Sequence, residues 1–152
     1  MQNRSRIVLA ITLLVMTACS KPDFRDVEGN AIYLEELKEQ WLIVNYWATW
    51  CGPCIAEIPE LNELSHEYAG RLNLIGVNFD HPEGAEQAAQ VRKMKIEFPV
   101  LTTEPAAMLN INIPLVLPTT YIFAPGGRLL KQFTGPQTKK SLLAVIDTTD
   151  PD

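Results

Sequence analysis

Residues 41–54 read WLIVNYWATWCGPC, and this stretch decides the fold. Its first seven residues form an almost unbroken apolar and aromatic run, the pattern of a strand covered on both faces rather than one with a wet side. Two thiols spaced by Gly52-Pro53 follow directly. From Pro53 onward Ile55, Ile58, Leu61, Leu64 and Tyr68 recur every three or four residues, which predicts a helix ending near Gly70. The cysteine pair therefore falls at a strand-to-helix junction, at the carboxyl end of a central strand, where open α/β sheets place their chemistry.

Working outward, residues 24–27 and 31–33 flank Glu28-Gly29-Asn30 and predict an N-terminal hairpin, with one or two helical turns over 34–40. A second strand is expected over 72–79, a helix over 82–95 and a short strand over 98–101. Residues 102–118 show no clear period. A strand over 119–124, a turn at Pro125-Gly126-Gly127, a returning strand over 128–133 and a closing helix over 139–146 complete the order. This order predicts an α/β domain with a central mixed sheet flanked by helices and a right-handed first crossover. With 152 residues, 47% of them hydrophobic and 20% charged, the chain has the makings of one globular core.

Three cysteines divide into a pair, Cys51 and Cys54, and a distant Cys19. A bridge across so short a loop would stabilise the fold by only ~2 kcal/mol on the loop-entropy estimate, so it suits opening and closing better than stapling. Cys51 should sit at the helix N-terminus, where unpaired N–H groups and the helix dipole favour a thiolate and lower a thiol below its usual pKa of ~8.5. Pro53 fits the first turn, where its missing N–H costs nothing. Cys54 should be deeper and less acidic. The division of labour expected is attack by Cys51 on a substrate disulfide, then release by Cys54. A zinc knuckle or an inert bridge is the competing reading, although His66 and His81 stand alone and no second CxxC is present.

Residues 1–18 carry Arg4 and Arg6, then an apolar run from Ile7 to Met16, then Thr17 and Ala18, the layout of a secretory signal. The ten residues of that run span ~15 Å as helix, half a ~30 Å hydrocarbon core. Met16-Thr17-Ala18-Cys19 resembles the lipobox of bacterial lipoproteins, which implies cleavage before Cys19 and lipid on its thiol; a diacylglyceryl group would anchor stably. A signal peptide cut nearby, leaving a free thiol, is the alternative. Removing residues 1–18 takes two of the 13 Lys and Arg and none of the 18 Asp and Glu, so the net charge moves from −5 to −7. No basic stripe remains for nucleic acid or anionic lipid, and membrane contact is expected through the lipid alone.

WATWCGPC after an apolar strand, Glu57 three residues beyond Cys54, and Leu117-Pro118-Thr119-Thr120 opening a late strand together resemble thioredoxin-fold proteins of the TlpA/ResA type, in lipoprotein form. The resemblance implies a signal peptide over 1–18, a lipidated tether over 19–23, a thioredoxin-like domain over 24–147 with a central helix-strand insert, and a tail over 148–152. It also implies a cis Pro118 facing the Cys51–Cys54 redox-active disulfide, with substrate backbone pairing at Leu117 and Trp50 beside the thiols on the docking surface. X-Pro bonds are cis in only ~5–6% of cases, so the residues alone would predict trans. No other cofactor and no metal is expected.

Glu57 stands where that family carries an active-site acid, and it is the candidate proton acceptor for Cys54. Periodicity alone would instead group it with Glu60, Glu63 and Glu67 as a solvated face. Asn45 occupies the position of the buried Asp of thioredoxins and cannot exchange protons; it is expected to order backbone or water. Trp41 and Trp47 read as core, Pro59 as a helix kink, and His66 and His81 as solvated. The function implied is a membrane-anchored extracytoplasmic thiol–disulfide oxidoreductase that reduces disulfides of exported proteins, re-reduced by a membrane donor of the DsbD or CcdA type. Its place is the bacterial periplasm or envelope exterior, with the outer membrane favoured by Ser20 in a Gram-negative host. Cytochrome c maturation ranks lower because Thr119, not an acid, follows Pro118. A copper-delivery protein would want a His within 102–118, which has none, and a non-catalytic interaction module would need no acidic thiol.

Overall fold

The computed structural model describes residues 21–149; the expected leader, Cys19 and residues 150–152 lie outside the described residues. The chain runs β1 (Phe24–Arg25), β2 (Ala31–Ile32), α1 (Leu34–Lys38), β3 (Trp41–Trp47), α2 (Gly52–Glu67), β4 (Leu72–Asn78), α3 (Gly84–Met94), β5 (Val100–Leu101), α4 (Ala106–Leu109), β6 (Thr119–Ala124), β7 (Arg128–Thr134) and α5 (Lys139–Thr149). The five-stranded sheet has the order β5-β4-β3-β6-β7, with β3 at its centre. β3 pairs parallel to β4 and antiparallel to β6, so the sheet is mixed as expected. β1 and β2 form a separate antiparallel hairpin. Its turn is tied by Asp26, whose Oδ1 accepts from the backbone N–H groups of Glu28 and Asn30 at 2.9 Å each.

Every residue of β3 is buried, which explains its unbroken apolar run. Strand alternation sends Trp41, Ile43 and Trp47 to a core shared with Ile58, Leu61 and Leu64 of α2, Val91 and Met94 of α3, and Leu142 and Ile146 of α5. Leu42, Val44 and Tyr46 point to the opposite core with Phe24, Leu34, Leu37 and Leu109. Asn45 belongs by parity to the α2 side. There Gly76 is closely packed: a Cβ on it would lie 3.0 Å from Phe98 Cε2 and Trp47 Nε1.

α2 runs through Pro59, which lies inside it. Two details differ from expectation. Within 102–118 the chain makes one turn of helix, α4, closed by Asn110 in the left-handed region at φ +53°. α5 reaches Thr149, so residues 148 and 149 are helical rather than tail. No helix of the described residues is long and apolar enough to cross a membrane.

Candidate active site

Cys51 is the N-cap of α2, in extended conformation, and Pro53 lies in the first turn. The sulfur of Cys51 accepts from the Cys54 backbone N–H at 3.2 Å and is bonded to the sulfur of Cys54. No acidic residue occupies that first turn, so the positive end of the helix dipole at Cys51 is unopposed from within the helix. Both cysteines are buried, Cys54 completely.

The Leu117–Pro118 peptide is cis, and Pro118 is buried. The register pairs Tyr46 with Thr119, which puts Pro118 level with Trp47 at the end of β3 that leads to the cysteines. Leu117 is half-buried and packs against both cores. Just before it, Ile113, Leu115 and Val116 are exposed.

Glu57 is 2% exposed, one helical turn below Cys54, and so does not belong to a solvated acidic stripe. Its Oε1 accepts from Asn45 Nδ2 at 2.7 Å and its Oε2 from the Gln137 backbone N–H at 2.8 Å. Burial pushes its pKa up to about 7, against the opposing pull of those two hydrogen bonds. Asn45 Nδ2 also donates to Thr120 Oγ1 at 3.1 Å, directly across the β3–β6 ladder. Asn45 Nδ2 thus joins the Glu57 carboxyl to the Thr120 hydroxyl. The acids further along α2 have other partners: Glu60 accepts from the Lys139 backbone N–H, and Glu63 and Glu67 take the Lys139 ammonium.

Trp50 is 64% exposed and is positioned by residues that sequence reasoning passed over. Its Nε1 donates to Asp80 Oδ2 at 2.8 Å, and its ring meets Phe79 edge-on at 6.5 Å between centroids. The loop over 135–137 was missed as well: Gly135 N–H donates to the Pro118 carbonyl at 2.8 Å, two residues before Gln137 reaches Glu57. One loop therefore holds both the cis-proline and the buried acid. Thr120 carried a signal, a polar residue at an inward-facing position of a buried strand, whereas nothing in the sequence marked Asp80 or the backbone of Gln137. His66 and His81 remain partly exposed but are paired, with Glu97 at 2.7 Å and Glu104 at 3.3 Å respectively.

A dithiol at a helix N-cap with a buried carboxyl near neutrality beneath it can exchange two electrons with a disulfide and move the accompanying proton. Comparison with known proteins agrees with that chemistry. The AhpC/TSA family matches residues 16–132. The chain is 33% identical to the thioredoxin-like protein YneN of Bacillus subtilis (strain 168) over 132 residues, 83% of this chain and 76% of the relative. It is 30% identical to the thiol-disulfide oxidoreductase ResA of Bacillus cereus over 127 residues, 83% of this chain and 73% of ResA. The crystal structure of the exposed lipoprotein thioredoxin of Streptococcus pneumoniae strain TIGR4 superposes with a TM-score of 0.67 at 22% identity, covering 82% of this chain and 96% of that one.

Proposed function

The chain belongs to the AhpC/TSA family and is a thiol–disulfide oxidoreductase of thioredoxin-like fold, and from that premise we propose that it is a lipid-anchored, extracytoplasmic reductase of disulfides in exported proteins. The observation that carries the reading is the pairing of the N-cap disulfide with Glu57, a buried carboxyl whose pKa burial raises to about 7. In the reduced protein the Cys51 thiolate attacks a substrate disulfide, forms a mixed disulfide and expels one substrate thiolate. Cys54 then gives its proton to Glu57 and attacks the Cys51 sulfur, expelling the second thiolate. Two electrons leave the dithiol and the substrate disulfide becomes a dithiol. No cofactor is needed beyond the Cys51–Cys54 couple.

The substrate chain would run beside Trp50 and pair with the backbone at Leu117, before Pro118. Gly-Pro between the cysteines favours the reducing direction. A reductant in an oxidising compartment needs its own donor, and a DsbD or CcdA type membrane protein has that chemistry. Support for location comes from the signal pattern over 1–18, from Cys19 as the lipid site, and from the name of the pneumococcal neighbour, an exposed lipoprotein. Ser20 favours the outer membrane in a Gram-negative host.

Insulin reduction by the purified protein, with Cys51→Ser and Cys54→Ser forms beside it, tests the chemistry. Wild type should turn over, Cys51→Ser should be inert, and Cys54→Ser should stop as a mixed disulfide. Turnover by Cys51→Ser would remove this reading. Labelled palmitate should enter wild type and not Cys19→Ala, and a Cys19→Ala protein that stays in the membrane fraction would remove the anchor.

A further inference from the structure

Beside the dithiol turn lies a cleft of about 390 Å³ between α2 and the end of α3. It borders the CGPC turn, because Thr49 and Ile55, which line it, stand on either side of that turn. Its floor is apolar: Ile58 and Met94 are buried, and Ile55 stands at the rim 51% exposed. Pro59, also on the rim, has no N–H to give the Ile55 carbonyl, which leaves that acceptor without its helical donor.

The width of the cleft is fixed. Asn62 of α2 donates from Nδ2 to the Lys95 carbonyl at 2.8 Å and accepts at Oδ1 from the Glu97 N–H at 3.0 Å. That clamp holds Lys95 in the left-handed region, φ +56°, at the C-terminus of α3. Lys93 and Lys95 line the same side of the cleft, and among the described residues neither ammonium has an ion-pair or hydrogen-bond partner. Glu97, the acid on that side, is bound to His66 at 2.7 Å. Two unpaired cations thus border an apolar floor on a chain of net charge −5.

We propose that this cleft is a subsite of the dithiol centre that takes the segment of a substrate protein next to its disulfide, seating an apolar side chain on Ile55, Ile58 and Met94 and a nearby carboxylate against Lys93 and Lys95. The proposal rests on the reductase reading and adds a sequence preference to it. Continuity with the CGPC turn makes the occupant a substrate segment, and the local charge makes it acidic. A second copy of this chain fits less well, since a two-fold contact through this face would bring the same lysines of both copies together.

The test uses the reduced Cys54→Ser protein, which retains substrate on Cys51, and a set of single-cysteine peptides activated as mixed disulfides. The peptides place Leu-Glu, Leu-Lys or Ser-Glu at each position within four residues of the cysteine. At one or more positions Leu-Glu should be captured roughly fivefold faster than Leu-Lys at low salt, a gap that narrows in high salt, as expected of exposed charges. Lys93→Glu with Lys95→Glu should reverse that order, and Ile55→Ser should bring Leu-Glu down to the Ser-Glu rate. Equal rates across the set, or an order that survives the charge reversal, would overturn the subsite. A concentration-dependent dimer abolished by the same reversal would assign the cleft to a second copy and overturn it too. Wild-type reduction of hydroxyethyl disulfide separates the two levels: normal turnover with no peptide ranking removes the subsite alone, while no turnover removes the reductase reading and the subsite with it.

Discussion

Asn45 and Glu57 meet through a 2.7 Å hydrogen bond between two buried side chains, the amide on the central strand and the carboxyl on the helix that begins at the cysteines. The bond stabilises the ionised carboxyl, while burial opposes it more strongly and brings the pKa to about 7.

That balance makes stability depend on pH. A carboxyl raised from 4.5 in the unfolded chain to about 7 in the folded one contributes stability that is complete below pH 4.5 and is lost as pH rises through 7. The loss is on the order of 3 kcal/mol by pH 8, from the span between the two pKa values. Urea unfolding of the oxidised protein should show this decline, and Glu57→Gln, which cannot ionise, should flatten it. An equally steep profile in the variant would mean that another group titrates.

Substitution of Asn45 should move Glu57 in a stated direction. Asn45→Leu removes a hydrogen bond to the ionised form and should raise the midpoint by about one pH unit, read by carboxyl NMR. Asn45→Asp would set two carboxyls at hydrogen-bond distance, where both cannot ionise near neutrality. Alkylation of the reduced cysteines should then shift to lower pH in Asn45→Leu, where a protonated Glu57 no longer repels the thiolate, and to higher pH in Asn45→Asp, which adds a negative charge.

The same neighbourhood shows what the sequence could carry. β3 was legible because burial on both faces writes an unbroken apolar run, and the turn after it because Gly-Pro between cysteines suits a helix start. By period alone Glu57 was not separable from Glu60, Glu63 and Glu67, and family likeness was what singled it out; in the fold Asn45 and Gln137 take Glu57 while Lys139 takes the other three. Residues 102–118 had no period because their shape is set by distant side chains. Glu104 binds the Tyr46 hydroxyl at 2.5 Å and the Ala106 N–H at 2.8 Å, and the Tyr121 hydroxyl donates to the Asn112 carbonyl at 2.7 Å. The cis bond at Pro118 came from family likeness, as local energetics points to trans.

Gly76 supplies a packing test. A Cβ there would meet Phe98 Cε2, Trp47 Nε1 and Val100 Cγ2 at 3.0 to 3.1 Å, and all three side chains are themselves buried. Gly76→Ala should cost roughly 1–3 kcal/mol by urea unfolding. A neutral result would show that the β3–β4 core relaxes more than close packing allows.

Asp80 tests whether the order of Trp50 matters to the reaction. The carboxylate receives the indole N–H at 2.8 Å, and its own backbone N–H is held by Asn78 Oδ1 at 3.1 Å, with Asn78 in turn donating to Gln90 at 2.8 Å. The indole is therefore fixed to β4 and α3 although most of it faces water. Asp80 is exposed, so Asp80→Ala should change stability by less than about 1 kcal/mol. The freed ring should show lower fluorescence anisotropy against the constant signal of buried Trp41 and Trp47. Losing a preorganised aromatic surface beside Cys51 should raise KM for insulin several-fold with a smaller effect on kcat, because ordering the ring then falls to the binding step. Asp80→Asn keeps an acceptor for the indole and should restore both readings; lost anisotropy with an unchanged KM would make Trp50 a bystander.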